Sequence, residues 1–146
     1  MGINSPTWNP NEKEFDKILK VNSKRELFIV GQIIIERILD KVLERKFQIP
    51  PKILDDPRFP MQMKMELVKE SEVIRKDVRE NIARINSIRN AYGHRINPSE
   101  KSVKNWLIQL HYLKTPPKVK PDSFGKYRIC VKQTFNELRK MSKKKN

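Results

Sequence analysis

Between positions 27 and 43 the apolar residues Leu27, Val30, Ile34, Ile38, Leu39, Val42 and Leu43 follow a pattern of three- and four-residue steps. An α-helix with 3.6 residues per turn gathers such positions on one face, so the pattern predicts a long amphipathic helix over about 24–46. Ser23 with Glu26 three positions later reads as the capping box that starts it, and Pro50-Pro51 marks its end. Phe28, Ile29, Ile33 and Ile35 widen the stripe beyond one face, which predicts a helix at the centre of the fold or partly at a subunit contact. Gly31 weakens helix propensity and predicts the close approach of a neighbouring helix.

The remaining punctuation is also helical. A short helix is expected over about 12–19, with Phe15, Ile18 and Leu19 on one face. Pro60 suits the first position of a third helix running to about 71 and carrying Met61, Met65, Leu67 and Val68, a soft packing face. Asp77 and Glu80 form a second capping box ahead of Val78, Ile82, Ile85, Ile88 and Tyr92, and Gly93 sits where a left-handed residue would end that helix. Asn97-Pro98 restarts the chain, with Val103, Trp106, Leu107, Leu110 and Leu113 following until Thr115-Pro116-Pro117. Asp122 or Ser123 caps a last helix bearing Phe124, Tyr127, Val131, Phe135 and Leu138. Four glycines and few β-branched runs argue against a sandwich or barrel. The expectation is one all-α domain, an up-and-down bundle of five or six helices: an irregular lead over 1–10, a helical body over 11–114, an additional C-terminal helix over 115–140 and a basic tail over 141–146. The helices near 24–46 and 78–93 should form its heart.

Charge narrows the function. The chain carries 32 basic and 17 acidic residues, a net +15. Residues 1–83 hold 16 basic against 14 acidic side chains, whereas residues 84–146 hold 16 against 3. Ordinary surfaces intersperse both signs, so this one-signed half points to an anionic partner, with a polyphosphate backbone foremost. A thermophilic or generally basic proteome is the alternative that composition leaves open. One cysteine, Cys130, and two histidines exclude an internal disulfide and argue against a zinc site. No cofactor or metal is expected. The first residues lack a basic stretch followed by an apolar core, and the longest apolar run, Ile33-Ile34-Ile35, is far below the roughly 20 residues a bilayer span needs. A cytoplasmic protein without a membrane role is therefore expected.

One segment carries chemistry: Ile85-Asn86-Ser87-Ile88-Arg89-Asn90-Ala91-Tyr92-Gly93-His94-Arg95. Asn90 and His94, four apart, share a helix face. Arg89 and His94, five apart, lie about 140° around an ideal helix and converge only if its end unwinds at Gly93. Arginine matches phosphate oxygens with a planar fork, histidine exchanges protons near neutrality, and asparagine can orient either group. RNA supplies its own nucleophile, the 2′-hydroxyl, so this trio suits metal-independent phosphodiester cleavage. Cations at a helix C-terminus also complement its dipole and bond its last carbonyls, and spacing alone leaves that reading open.

The string Ile88-Arg89-Asn90-Ala91-Tyr92-Gly93-His94 resembles the arginine, polar residue, three variable positions, histidine signature of HEPN domains. Within that superfamily the chain is most similar to the mannitol operon repressor group. Ser23-Lys24-Arg25, Val30-Gly31-Gln32 and Glu36 to Leu43 resemble that group's second helix, and Phe59 with the 61–68 stretch resembles its third. The likeness covers about 15–112. It implies a HEPN-like bundle that pairs as a homodimer through the signature helices, with Arg89 stabilising the scissile phosphate, Asn90 positioning it and His94 handling the proton. Products would carry a cyclic phosphate and a 5′-hydroxyl. Other relatives imply a non-catalytic RNA binder, a regulatory module, or a toxin held by an antitoxin or other protein partner. Tyr92 and Gly93 stand where the family more often has phenylalanine and alanine, and the segment after about 115 lies outside the likeness.

Arg84, Arg95, Lys143, Lys144 and Lys145 are the further candidates for RNA contact, with a plain solvated tail as the alternative for the last three. His111 reads as ordinary packing or a surface placement. Glu36 and Asp40 either steady Arg89 across the bundle or pair at the surface with Lys41 or Arg37. Trp106 fits the core or an interface better than a base-stacking role. No helix-turn-helix with a reading helix and no glycine-rich phosphate loop is present, which places DNA binding and nucleotide binding below RNA.

Overall fold

The computed structural model describes residues 12–21, 23–94, 100–114, 116–118 and 120–143, with the backbone alone at Glu12, Glu14, Ile18, His94, Glu100, Lys101, Ser102 and Lys143. Seven helices are found among them: α1 (Glu12–Ile18), α2 (Lys24–Phe47), α3 (Pro51–Leu54), α4 (Met61–Ser71), α5 (Lys76–His94), α6 (Glu100–Gln109) and α7 (Ser123–Lys143). All-α architecture in a single compact body is thus established.

Contacts at the helix ends define the topology. The start of α2 meets the end of α5, where Arg25 donates to the Tyr92 carbonyl at 2.6 Å. The start of α2 also meets the start of α7, where Lys24 lies 5.9 Å from the Tyr127 ring centre, and the end of α2 meets the end of α7 through Arg45 and the Ser142 carbonyl. The three long helices therefore run up, down and up. Leu27, Ile34, Ile38 and Leu39 of α2, Val78, Ile82, Ile85 and Ile88 of α5, and Cys130, Val131, Phe135 and Leu138 of α7 fill the space between them. The helix expected as an addition to the bundle shares its centre.

Local chemistry explains most boundaries. Ser23 caps α2 as expected, its hydroxyl accepting from Glu26 N–H at 3.1 Å. Gly31 permits close packing of α2 on α7, since a Cβ there would lie 3.0 Å from Val131 Cγ1. Asp122 starts α7, its carboxylate accepting from Gly125 N–H at 2.7 Å. On the other side of the core, Phe15 stacks on Phe135 with ring centres 3.7 Å apart, which ties α1 to α7.

Four expectations need correction. The proline-rich segment after α2 contains one helical turn, α3, because Pro51 suits a first position and the Pro50 carbonyl accepts from both Ile53 and Leu54 N–H. α5 starts at Lys76, so Asp77 lies inside the first turn, where its carboxylate accepts from Arg75 and Val78 N–H instead of capping from outside. α6 stops at Gln109 and does not reach Leu113. The cause is Asn81, fully buried on α5, which accepts from His111 N–H at 3.2 Å and donates to the His111 carbonyl at 2.9 Å. That pairing takes the backbone groups a continuing helix would need. Finally, α7 runs to Lys143, and Met141 and Ser142 pack on the bundle instead of starting a tail. The Asn97-Pro98 restart lies outside the described residues.

Candidate functional site

The amphipathic pattern of α5 places Ile85 and Ile88 in the core and leaves Asn86, Ser87, Arg89 and Asn90 toward the surface. These four line a cleft of about 530 Å3 together with Glu36 of α2 and Glu66 of α4. Arg89 donates to Asn90 Oδ1 at 3.3 Å, while its Nε is buried without a hydrogen-bond acceptor among the described residues. The guanidinium lies back along the helix toward its end: a Cβ on Gly93 would meet Arg89 Nη1 at 3.3 Å. Gly93 matters here through its missing side chain, which makes room for that group.

Gly93 does not unwind the helix. α5 continues through His94, and no glycine among the described residues has a positive φ. The sequence expectation of a left-handed residue at Gly93 is therefore overturned, because regular i→i+4 bonding persists to the end of α5 and is closed from outside. Arg25, on the first turn of α2, supplies that closure by bonding the Tyr92 carbonyl, one of the last-turn acceptors without an intrahelical donor. Its guanidinium also stands 5.5 Å from the Tyr92 ring centre. With the helix end served by Arg25, Arg89 is engaged with Asn90 and not with the last carbonyls.

Arg89 and Asn90 thus come together on one cleft. Arg84 does not join them: its Nε bonds Gln109 Oε1 on α6. The His94 side chain, Arg95, the Lys143 side chain, Lys144 and Lys145 lie outside the described residues. Arg25 is the residue that sequence reasoning passed over, since no periodicity links position 25 to position 92.

Glu36 and Asp40 take neither role foreseen for them. Both face the fully buried Lys64 of α4, whose Nζ is 2.7 Å from Glu36 Oε2 and 2.8 Å from Asp40 Oδ1. Gln32 Nε2 donates to Glu36 Oε1 at 2.9 Å. Arg37 pairs instead with Asp55 at 3.5 Å. Burial pushes the Asp40 carboxyl up to about 6 against the pull of the Lys64 ammonium. Burial alone would lower Lys64, but its bonds to Asp40 and Glu36 outweigh this and raise it. A lysine among apolar positions of an amphipathic helix was the one available signal.

His111 is structural, as expected: its ring nitrogens face the carbonyls of Gln109 at 3.3 Å and Asp77 at 3.2 Å. Burial pushes the Cys130 thiol up to about 11, which leaves it a packing residue and not a nucleophile. Among the described residues, no group of three or more histidine, cysteine or acidic side chains could hold a metal, and no helix is long and apolar enough to cross a membrane.

Three lysines of the second half are engaged within the fold. Lys132 pairs with Asp16 at 2.9 Å, and the buried Glu137 carboxylate gathers Lys114 at 3.2 Å, Lys140 at 3.7 Å and Arg75 at 3.9 Å. No family model, no curated protein and no solved structure matches this chain.

Proposed function

We propose that this protein is an RNA-directed member of the HEPN superfamily, acting as a metal-independent endoribonuclease through Arg89, Asn90 and His94. The observation that supports the reading most directly is the Arg89–Asn90 pair on a cleft of about 530 Å3, with the guanidinium lodged against Gly93. A scissile phosphate at the rim of the cleft would accept from the guanidinium and be stabilised as negative charge builds during attack. Asn90 would hold a phosphate oxygen. Since α5 stays helical at Gly93, the positions of Arg89 and His94 in one chain remain about 140° apart. A homodimer would therefore have to bring His94 of the second copy to the phosphate, to take the 2′-hydroxyl proton or return one to the leaving 5′-oxygen. The bond formed is 2′-O to phosphorus and the bond broken is phosphorus to 5′-O, so a cyclic phosphate and a 5′-hydroxyl result.

The test is cleavage of single-stranded RNA in EDTA by wild type, Arg89→Ala and His94→Ala, with solution mass and circular dichroism on each. Wild-type cleavage that falls at least about 100-fold in both folded variants is the expected result. Equal cleavage by all three, or none by wild type, overturns the catalytic proposal.

A further inference from the structure

Three aromatic rings at one end of the bundle each carry a cation. Lys24 lies 5.9 Å from the Tyr127 ring centre, Arg25 5.5 Å from that of Tyr92, and Arg128 4.8 Å from that of Phe124. They come from the start of α2, the end of α5 and the start of α7, so only the folded chain assembles them. Neither guanidinium is loose. Arg25 is tied to the Tyr92 carbonyl at 2.6 Å, and Arg128 donates to the Val21 carbonyl at 2.8 Å. The three rings are half-buried, and Lys20 and Lys24 are exposed beside them.

The local charge is mostly positive, with Glu26 on the first turn of α2 and Asp122 at the start of α7 as its nearby acids. No acidic residue lies between positions 123 and 136, and Glu26 is the one acid between positions 17 and 35. Elsewhere the cations serve acids of the fold, as Lys64 and the group around Glu137 do. Here Lys24 meets a ring and Arg128 a ring and a backbone carbonyl, with no carboxylate paired to either among the described residues.

We infer that this end of the bundle is a binding surface for single-stranded RNA, a second contact region that adjoins the Arg89 cleft across the last turn of α5. The inference rests on the RNA-directed reading and gives it a path for the strand beyond the reacting phosphate. Lysines 20 and 24 face phosphates. A guanidinium held over a ring by a bond to a backbone carbonyl is a platform against which an unstacked base can lie. Stacking of this kind needs bases free of a duplex, which is why a single strand fits better than a double helix.

The experiment is fluorescence anisotropy with the full chain and a labelled 12-nucleotide single-stranded RNA, its blunt duplex, and phosphatidylserine vesicles, across 50–200 mM salt. Lys24→Gln/Arg128→Gln is expected to bind the single strand at least about tenfold more weakly, with a salt slope shallower by about 1.4. Tyr127→Leu is expected to lose about fivefold or more through stacking. Since Arg128 also braces the fold, Lys20→Gln/Lys24→Gln at exposed positions is a second variant, with the same slope change expected. Wild-type binding matched by both lysine variants overturns this surface while leaving the RNA-directed reading intact. No wild-type binding to RNA at any salt overturns both. Equal affinity for duplex and single strand removes the stacking platform, and variants that lose only vesicle binding make the surface a membrane face.

Discussion

Lys64 and Lys24 show two ways one side chain is used in the same bundle. Lys64 is sealed between α2 and α4 with its ammonium between Glu36 and Asp40, and its side chain is 2% exposed. Lys24, at the start of α2, is exposed and lies 5.9 Å from the Tyr127 ring centre, with no carboxylate paired to it among the described residues. In the middle of the molecule charge is neutralised so that helices can close over it. At the end Lys24 stands over a partly apolar floor instead. A net +15 therefore says little about where a polyanion would bind until internal pairs are removed from the count.

The sharpest way to break this contrast is Lys64→Met. It leaves the mostly buried Asp40 and the one-third-exposed Glu36 facing each other without their cation. A loss of about 3 kcal/mol, the low end for a broken buried pair, is expected in urea unfolding at pH 7. A loss below about 1 kcal/mol would mean that water already reaches the pair. The second comparison uses pH. Asp40 holds its proton up to about 6 in the folded chain against 3.8 ordinarily, so the folded state binds more protons within that window. Its contribution to stability is present below the lower value and is lost as pH rises through the upper one. The stability difference between wild type and Asp40→Asn should therefore fall by about 1–3 kcal/mol from pH 4 to pH 7. A flat or rising difference in paired denaturation curves contradicts it. The smallest effect belongs to the exposed lysine. Lys24→Ala is expected to change stability by less than about 1 kcal/mol, the size of a solvent-facing cation–π contact. A thermal melt that shows more would make Lys24 part of the scaffold.

Much of the fold was legible because its causes are local. The stripe from Leu27 to Leu43, the Ser23 cap, the Asp122 start and the tight approach at Gly31 all follow from residue type and spacing, and each stands where the sequence placed it. The end of α6 was not legible, since an asparagine thirty positions away withdraws His111 from the helix. At the candidate site, Arg89 and Asn90 were found from their motif, but the reason expected for their placement was not the one observed. Gly93 stays helical and serves as empty space, and the closing donor is Arg25.

By itself, then, the sequence determined that the chain would be helical, where most helices begin, which faces are apolar, and that positive charge gathers in the second half. Backbone hydrogen bonds four residues apart and the 3.6-residue period act within a segment, so they leave their mark on it. Tertiary structure alone decided which ends meet. Arg25 reaches Tyr92 across 67 positions, and Lys64 reaches Glu36 across 28. Those pairings depend on the direction and packing of whole helices, and no local pattern records them.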